Sequence, residues 1–170
     1  MKKPVIALLL AVLILFGASF GLNGIAAKNA QEAHLTMMKT LLPGSESFAV
    51  ETYTGEDANI VSVHKAENGF VIETATRGYA DEIRMLIGVN FDGKVTGLVL
   101  AEAHETFGLG NNALTDHEFL AQFLRNEGDA EVGSNIDAIT GATVTSKAIA
   151  RSVNSAVGFV TGADTSSAAT

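Results

Sequence analysis

Between Pro4 and Ala27 the chain carries no charged side chain, and Asn23 is its only strongly polar one. Coiled as a helix at 1.5 Å per residue, this run reaches about 36 Å, enough to cross a hydrocarbon core of about 30 Å. Lys2 and Lys3 precede it with no acidic residue nearby. Positive charge favours the cytoplasmic side, so the N-terminus is expected in the cytoplasm and the rest of the chain outside the cell (inner) membrane, after a single pass. A cleaved signal peptide is the competing reading, with Gly24-Ile25-Ala26 as a weak cleavage site. The run is longer than the usual apolar core of such a peptide, about 7–15 residues, so a retained transmembrane anchor over residues 1–27 is the better fit. Both readings export the body.

The exported body is acidic. Without Lys2 and Lys3, 9 basic side chains face 19 acidic ones. Such a surface repels a phosphate backbone, which argues against nucleic acid as a partner. There is no cysteine, which excludes disulfides, thiolate metal sites and a thiol nucleophile. The four histidines (34, 64, 104 and 117) share no metal-binding spacing, so no metal site is expected.

Hydropathy patterning divides the body into an α+β order. Residues 28–44 read as a juxtamembrane helix stopped by Pro43-Gly44. A domain of residues 45–160 follows, and 161–170 is a small, polar tail expected to be disordered. Alternation predicts strands at Phe48–Tyr53 and Ile60–His64, with Phe70–Ala75 returning; the strongly apolar run Ile83–Phe91 predicts another, with Val95–Ala101 returning. Turn signals at Glu67-Asn68-Gly69 and Asp92-Gly93 make two successive hairpins of an antiparallel sheet. Asp116 can cap a short helix through Phe119, Leu120, Phe123 and Leu124. Residues 127–135 read as loop. A last helix is expected over Val144–Val160, burying Ala148, Ile149, Val153, Ala156 and Val157. No internal repeat is present.

The stretch Asp137-Ala-Ile-Thr140-Gly141-Ala142-Thr143-Val-Thr145-Ser146 ends in that last helix. Small residues allow a ligand close to the main chain, and free N–H groups with the helix dipole favour a phosphate. Thr140, Thr143, Thr145 and Ser146 supply hydroxyls, Lys147 can offset anionic charge, and Asp137 can cap the turn or assist a metal-dependent attachment. Ordinary helix capping is the other reading. Residue chemistry alone supports an anion site without identifying the anion.

Asp137-x-x-Thr140-Gly141-Ala142-Thr143-x-Thr145 resembles the flavinylation motif of the FMN-binding domain family, which includes RnfG and NqrC subunits of membrane redox complexes. Three further stretches agree in order. Arg77–Ile83 resembles the family's Gly-Tyr strand opening. Asn90–Gly97 resembles its Asp-Gly-Lys-Ile-x-Gly hairpin. His104-Glu105-Thr106-Phe107-Gly108-Leu109-Gly110 resembles its Glu-Thr-Pro-Gly-Leu-Gly loop, with Phe107 where the family has proline. Together they cover about residues 77 to 150. The resemblance implies FMN as cofactor and makes residues 45–160 the FMN-binding domain. It also implies that a flavin transferase joins the FMN through a phosphoester to the threonine after Gly-Ala, here Thr143. Thr145 is the fallback.

The loop at 104–110 reads by itself as a strand-to-helix connection whose Gly108 and Gly110 permit unusual backbone angles. Its Glu105, Thr106 and Leu109 offer an acceptor, a hydroxyl and an apolar surface. The resemblance implies that they help hold the isoalloxazine ring or its ribityl chain, and Phe107 replaces a stiffening proline. Tyr79 reads as a sheet-edge aromatic, and Glu82 as a charge keeping that edge soluble.

No Gly-x-Gly-x-x-Gly, no Ser–His–Asp set and no paired catalytic carboxylates are present, so no catalytic residue is assigned and the body reads as a relay. The resemblance, stronger to RnfG than to the larger NqrC, implies an electron-transfer subunit of an Rnf-type ion-translocating ferredoxin:NAD oxidoreductase complex. Its implied partners are the other membrane subunits and the transferase. A stand-alone extracytoplasmic FMN carrier is the alternative, and an anchored phosphate-binding module is the non-redox one.

Overall fold

Along Glu82–Asn90 apolar side chains point both ways, as expected of a strand covered on two faces. Ile83, Met85, Ile87 and Val89 join one hydrophobic cluster, and Leu86 joins another. In the computed structural model, which describes residues 31–103 and 114–163, this strand is β4 of a five-stranded sheet. The others are β1 (Ala49–Glu51), β2 (Ile60–Lys65), β3 (Gly69–Arg77) and β5 (Val95–Ala103). Each pairs antiparallel with its sequence neighbour, in the order β1-β2-β3-β4-β5. The two expected hairpins are thus parts of one meander within the α+β architecture.

The chain divides into two compact units, Met1–Met37 and Met38–Thr170. In the first, residues 31–37 are helical, and Thr36 Oγ1 donates to the Glu32 carbonyl at 2.8 Å. The expected anchor lies outside the described residues. Among those described, no helix is long and apolar enough to cross a membrane.

The second unit holds the sheet and its cover. Residues 38–41 are helical, and Met38, Leu41 and Leu42 pack with Val71 and Leu86 on one face of the sheet. Gly88 and Gly97, paired across β4 and β5, leave room there: a Cβ on Gly88 would stand 2.4 Å from the Leu41 carbonyl oxygen. The other face carries α2 (Thr143–Thr161), preceded by the short α1 (His117–Ala121). Asp116 caps α1 as expected, accepting from the Glu118 and Phe119 N–H groups at 2.9 and 3.0 Å. Ala148, Ile149, Val153, Ala156 and Val157 of α2 meet Ile72, Ile83, Met85 and Ile87 of the sheet. Small residues let α2 lie close: Thr76 Oγ1 on β3 donates to the Ala148 carbonyl at 3.1 Å and lies 2.9 Å from Ser152 Oγ. The helix closes on Gly162 in the left-handed region, whose N–H reaches the Gly158 carbonyl.

Two expectations change. Glu82 does not guard a sheet edge: it opens β4, which β3 and β5 flank on both sides. It pairs instead with Arg84, Nε to Oε1 at 3.0 Å. Helix α2 includes Thr161, which the sequence placed in the tail; residues 164–170 lie outside the described ones.

Candidate functional site

The route from α1 to α2 is irregular, and its main-chain groups need partners that a helix or sheet would otherwise supply. Side-chain amides provide them. Asn154, buried in α2, accepts from the Ala130 N–H and donates to the Ala130 carbonyl, both at 2.9 Å. Asn135 accepts from the Glu131 N–H and donates to the Asp129 carbonyl, both at 2.8 Å. Gln122, just past α1, accepts from the Asp137 N–H at 2.8 Å and donates to the Asp137 carbonyl at 3.3 Å.

Beyond Asp137 the chain turns sharply into α2. The Ala142 N–H bonds the Ile139 carbonyl at 2.9 Å, and Gly141 adopts φ +81°. A β-turn with positive φ at its third residue calls for glycine there. Ser146, fully buried in the first turn of α2, locks this corner: its Oγ donates to the Ala142 carbonyl at 2.9 Å and accepts from the Ile139 N–H at 3.4 Å.

The predicted motif residues separate by exposure. Asp137, Thr140, Gly141 and Thr143 are exposed, whereas Ala142 and Thr145 are buried. Thr143 is the first residue of α2, and Ala142 at its N-cap makes no side-chain cap. The N–H groups of a helix's first turn have no partner within the helix, so a long helix started without a cap presents them to an anion. No acidic residue lies in that first turn. Lys147 and Arg151 are the only charged side chains of α2, and Lys147 is exposed. Arg151 Nη2 donates to the Arg77 carbonyl at 2.8 Å.

Thr145 is only 1% exposed, and its Oγ1 has no hydrogen-bond partner. An exposed hydroxyl at an uncapped helix start fits a phosphate ester better than a finished cap does. Glu105, Thr106, Gly108 and Leu109, with His104 and Phe107, lie outside the described residues. Tyr79 is 68% exposed in the β3–β4 connection.

A cleft of about 850 Å³ runs along the C-terminal half of α2, between it and residues 51–60. Tyr53, Asn59, Arg151, Ser155 and Phe159 are among its lining, and no predicted site residue is. Among the described residues no cluster of three or more His, Cys, Asp or Glu side chains could hold a metal ion. Sequence reasoning did not single out Gln122: an exposed glutamine near a helix end carries no motif, and its bond partner stands fifteen positions away.

Residues 78–158 match the FMN-binding domain family. The chain is similar to the G subunit of the Na⁺-translocating ferredoxin:NAD⁺ oxidoreductase complex of Acetobacterium woodii, 38% identical over 98 residues covering 52% of this chain and 47% of that protein. It is similar to the G subunit of the proton-translocating ferredoxin:NAD⁺ oxidoreductase complex of Clostridium ljungdahlii, 39% identical over 99 residues covering 54% and 53%. It is also similar to the G subunit of the ion-translocating oxidoreductase complex of Methanosarcina acetivorans, 32% identical over 139 residues covering 72% of each chain. The matched part spans about half the length of the first two relatives.

Proposed function

The chain belongs to the RnfG-like family of FMN-binding subunits, and from that premise we propose that it carries FMN covalently on Thr143 and relays electrons within an ion-translocating redox complex. The observation that carries this reading is the contrast at the start of α2, where Thr143 is exposed and Thr145 is buried.

Attachment is a phosphoryl transfer. Thr143 Oγ forms a new bond to phosphorus, and its proton passes to a base. The bond that breaks is the anhydride of an activated flavin donor, held by a flavin transferase, whose nucleotide half leaves with the electron pair. No electrons change hands in this step. Within this chain, Thr143 supplies the nucleophile and the first-turn N–H groups of α2 favour the phosphate oxygens. Thr140, Gly141 and Ala142 shape the corner, and Asp137 contributes an exposed carboxylate beside it. When bound, FMN supplies the redox chemistry, and the protein supplies position and electrostatics. Glu105, Thr106, Gly108 and Leu109 are proposed, from the family resemblance, to hold the ring or ribityl chain.

Residues 1–27 are proposed as the anchor, 28–44 as the juxtamembrane helix, 45–160 as the FMN domain and 161–170 as the tail, with the FMN domain outside the membrane. The relatives' complexes support membrane redox subunits as partners. Co-expression with a flavin transferase, followed by denaturing electrophoresis and in-gel fluorescence, tests the attachment. A fluorescent band in wild type and none in Thr143→Ala is expected, and a dark wild-type band under working transferase conditions sinks the proposal. A reporter active only in the cytoplasm, fused to the C-terminus, should be silent; activity would reverse the topology.

A further inference from the structure

We infer that Gln122 is a positioning residue for the modification of Thr143, an inference that rests on the attachment proposed above. Its amide binds both main-chain polar groups of Asp137, the N–H at 2.8 Å and the carbonyl at 3.3 Å. This two-point pairing holds the peptide groups on either side of Asp137 as a neighbouring strand would; the group before it is also held by the Gly133 N–H on the Ile136 carbonyl at 2.8 Å, and the group after it by Gln122. Asp137 opens the motif, and the chain from there to Thr143 holds no regular structure.

The far end of this segment is already fixed. Ser146 ties Ile139 and Ala142 to the first turn of α2, and the β-turn closes between the same two residues. Upstream, Ile136 is buried at 2% exposure. Gln122 supplies the remaining hold, and it comes from a different element. The result is a segment whose main chain is pinned at both ends while Asp137, Thr140 and Thr143 are exposed to solvent. A transferase needs that combination: accessible reacting groups that do not have to be ordered at the moment of transfer.

The geometry also makes the role separable from folding. Gln122 is exposed, whereas its neighbours Phe119 and Phe123 are buried and stack edge to face at 5.3 Å. Replacing Gln122 leaves that core contact untouched.

The test uses the full chain as acceptor and a flavin transferase with its flavin donor. Gln122→Met keeps length and volume but loses both bonds. Gln122→Glu keeps an acceptor for the Asp137 N–H and loses the donor to its carbonyl. With Gln122→Met, kcat for flavin transfer is expected to fall about tenfold, in line with the loss of two neutral hydrogen bonds, and the acceptor's KM is expected to hold. Gln122→Glu should fall between. In the unmodified protein, amide hydrogen exchange should quicken at residues 137–138 in Gln122→Met and stay unchanged in α2, and the fraction folded at the assay temperature should stay that of wild type. A labelled wild type matched in rate by Gln122→Met overturns the role of Gln122. So does a loss of rate that is accounted for by unfolded protein at the assay temperature, or one that appears wholly in KM. An unlabelled wild type overturns the attachment reading beneath it.

Discussion

Thr143 and Thr145 stand two positions apart at the start of α2 and face opposite environments: Thr143 is exposed, and Thr145 is enclosed with an unpaired Oγ1. An unsatisfied buried hydroxyl costs stability, and an apolar group of the same shape removes that cost. Thr145→Val is therefore expected to raise stability by about 1 kcal/mol and to keep the flavin. Thr143→Ser keeps a hydroxyl and should be labelled, and Thr143→Val should not. Denaturant unfolding and in-gel fluorescence read the two effects. Loss of label in Thr145→Val would move the attachment to Thr145.

The corner at Gly141 makes a second prediction. With φ at +81°, an L side chain there meets its own carbonyl, at a cost of about 1–2 kcal/mol. Asparagine tolerates this region best after glycine. Tm is expected to fall in the order Gly141, Gly141→Asn, Gly141→Ala, Gly141→Val, and the rate of flavin labelling to fall in the same order. A Gly141→Ala variant as stable as wild type would show that the corner relaxes to negative φ.

Much of this was legible in the chain itself. Alternation, the apolar run at 83–91 and the turn residues at 67–69 and 92–93 place β2 to β5, and Asp116 caps α1 where its spacing says it should. Burial of Thr145 was also within reach, because it lies one helical turn before Ile149 and shares its face. Other features depend on tertiary contacts. Strand β1 spans only Ala49–Glu51, and Phe48 before it packs with the cluster around Leu42. Tyr53 meanwhile leaves the sheet, and its hydroxyl accepts from the Asp57 N–H at 3.0 Å. The position of Glu82 depends on β3 pairing with β4, which joins the two hairpins that the turn signals give separately. The bonds from Gln122 to Asp137 and from Asn154 to Ala130 join residues fifteen and twenty-four positions apart, with no periodicity to announce them.

The paired glycines under Leu41 predict a graded response. A Cβ on Gly88 would stand 2.4 Å from the Leu41 carbonyl oxygen, whereas one on Gly97 would come no closer than 3.2 Å to Leu41. Thr96 Oγ1 donates to that same carbonyl at 2.6 Å, so Leu41 is not free to retreat. Gly88→Ala is expected to cost about 1–3 kcal/mol as an overpacked contact, and Gly97→Ala less. Chemical denaturation gives the order, and hydrogen exchange should locate the loosening at residues 38–42. Equal costs at the two sites would contradict the contact geometry.

Glu67 supplies a prediction in pH. Its own main-chain N–H, and then the Ser47 hydroxyl at 2.8 Å, hold its carboxyl below the usual glutamate value. A carboxylate depressed in the folded state stabilises it above the unfolded pKa, and that contribution is lost as pH falls through the lower folded value. The side chain is fully exposed, so the effect is local to the turn between β2 and β3. Ser47→Ala should move the Glu67 titration upward, toward but not to the ordinary value, because the main-chain donor remains. Carbon-detected NMR of the Glu67 carboxyl through acid pH measures this directly. Asn68 Nδ2 still holds the Pro43 carbonyl at 2.7 Å, so the turn should keep its place while the titration shifts. An unchanged midpoint in Ser47→Ala would mean that the main-chain bond alone sets it.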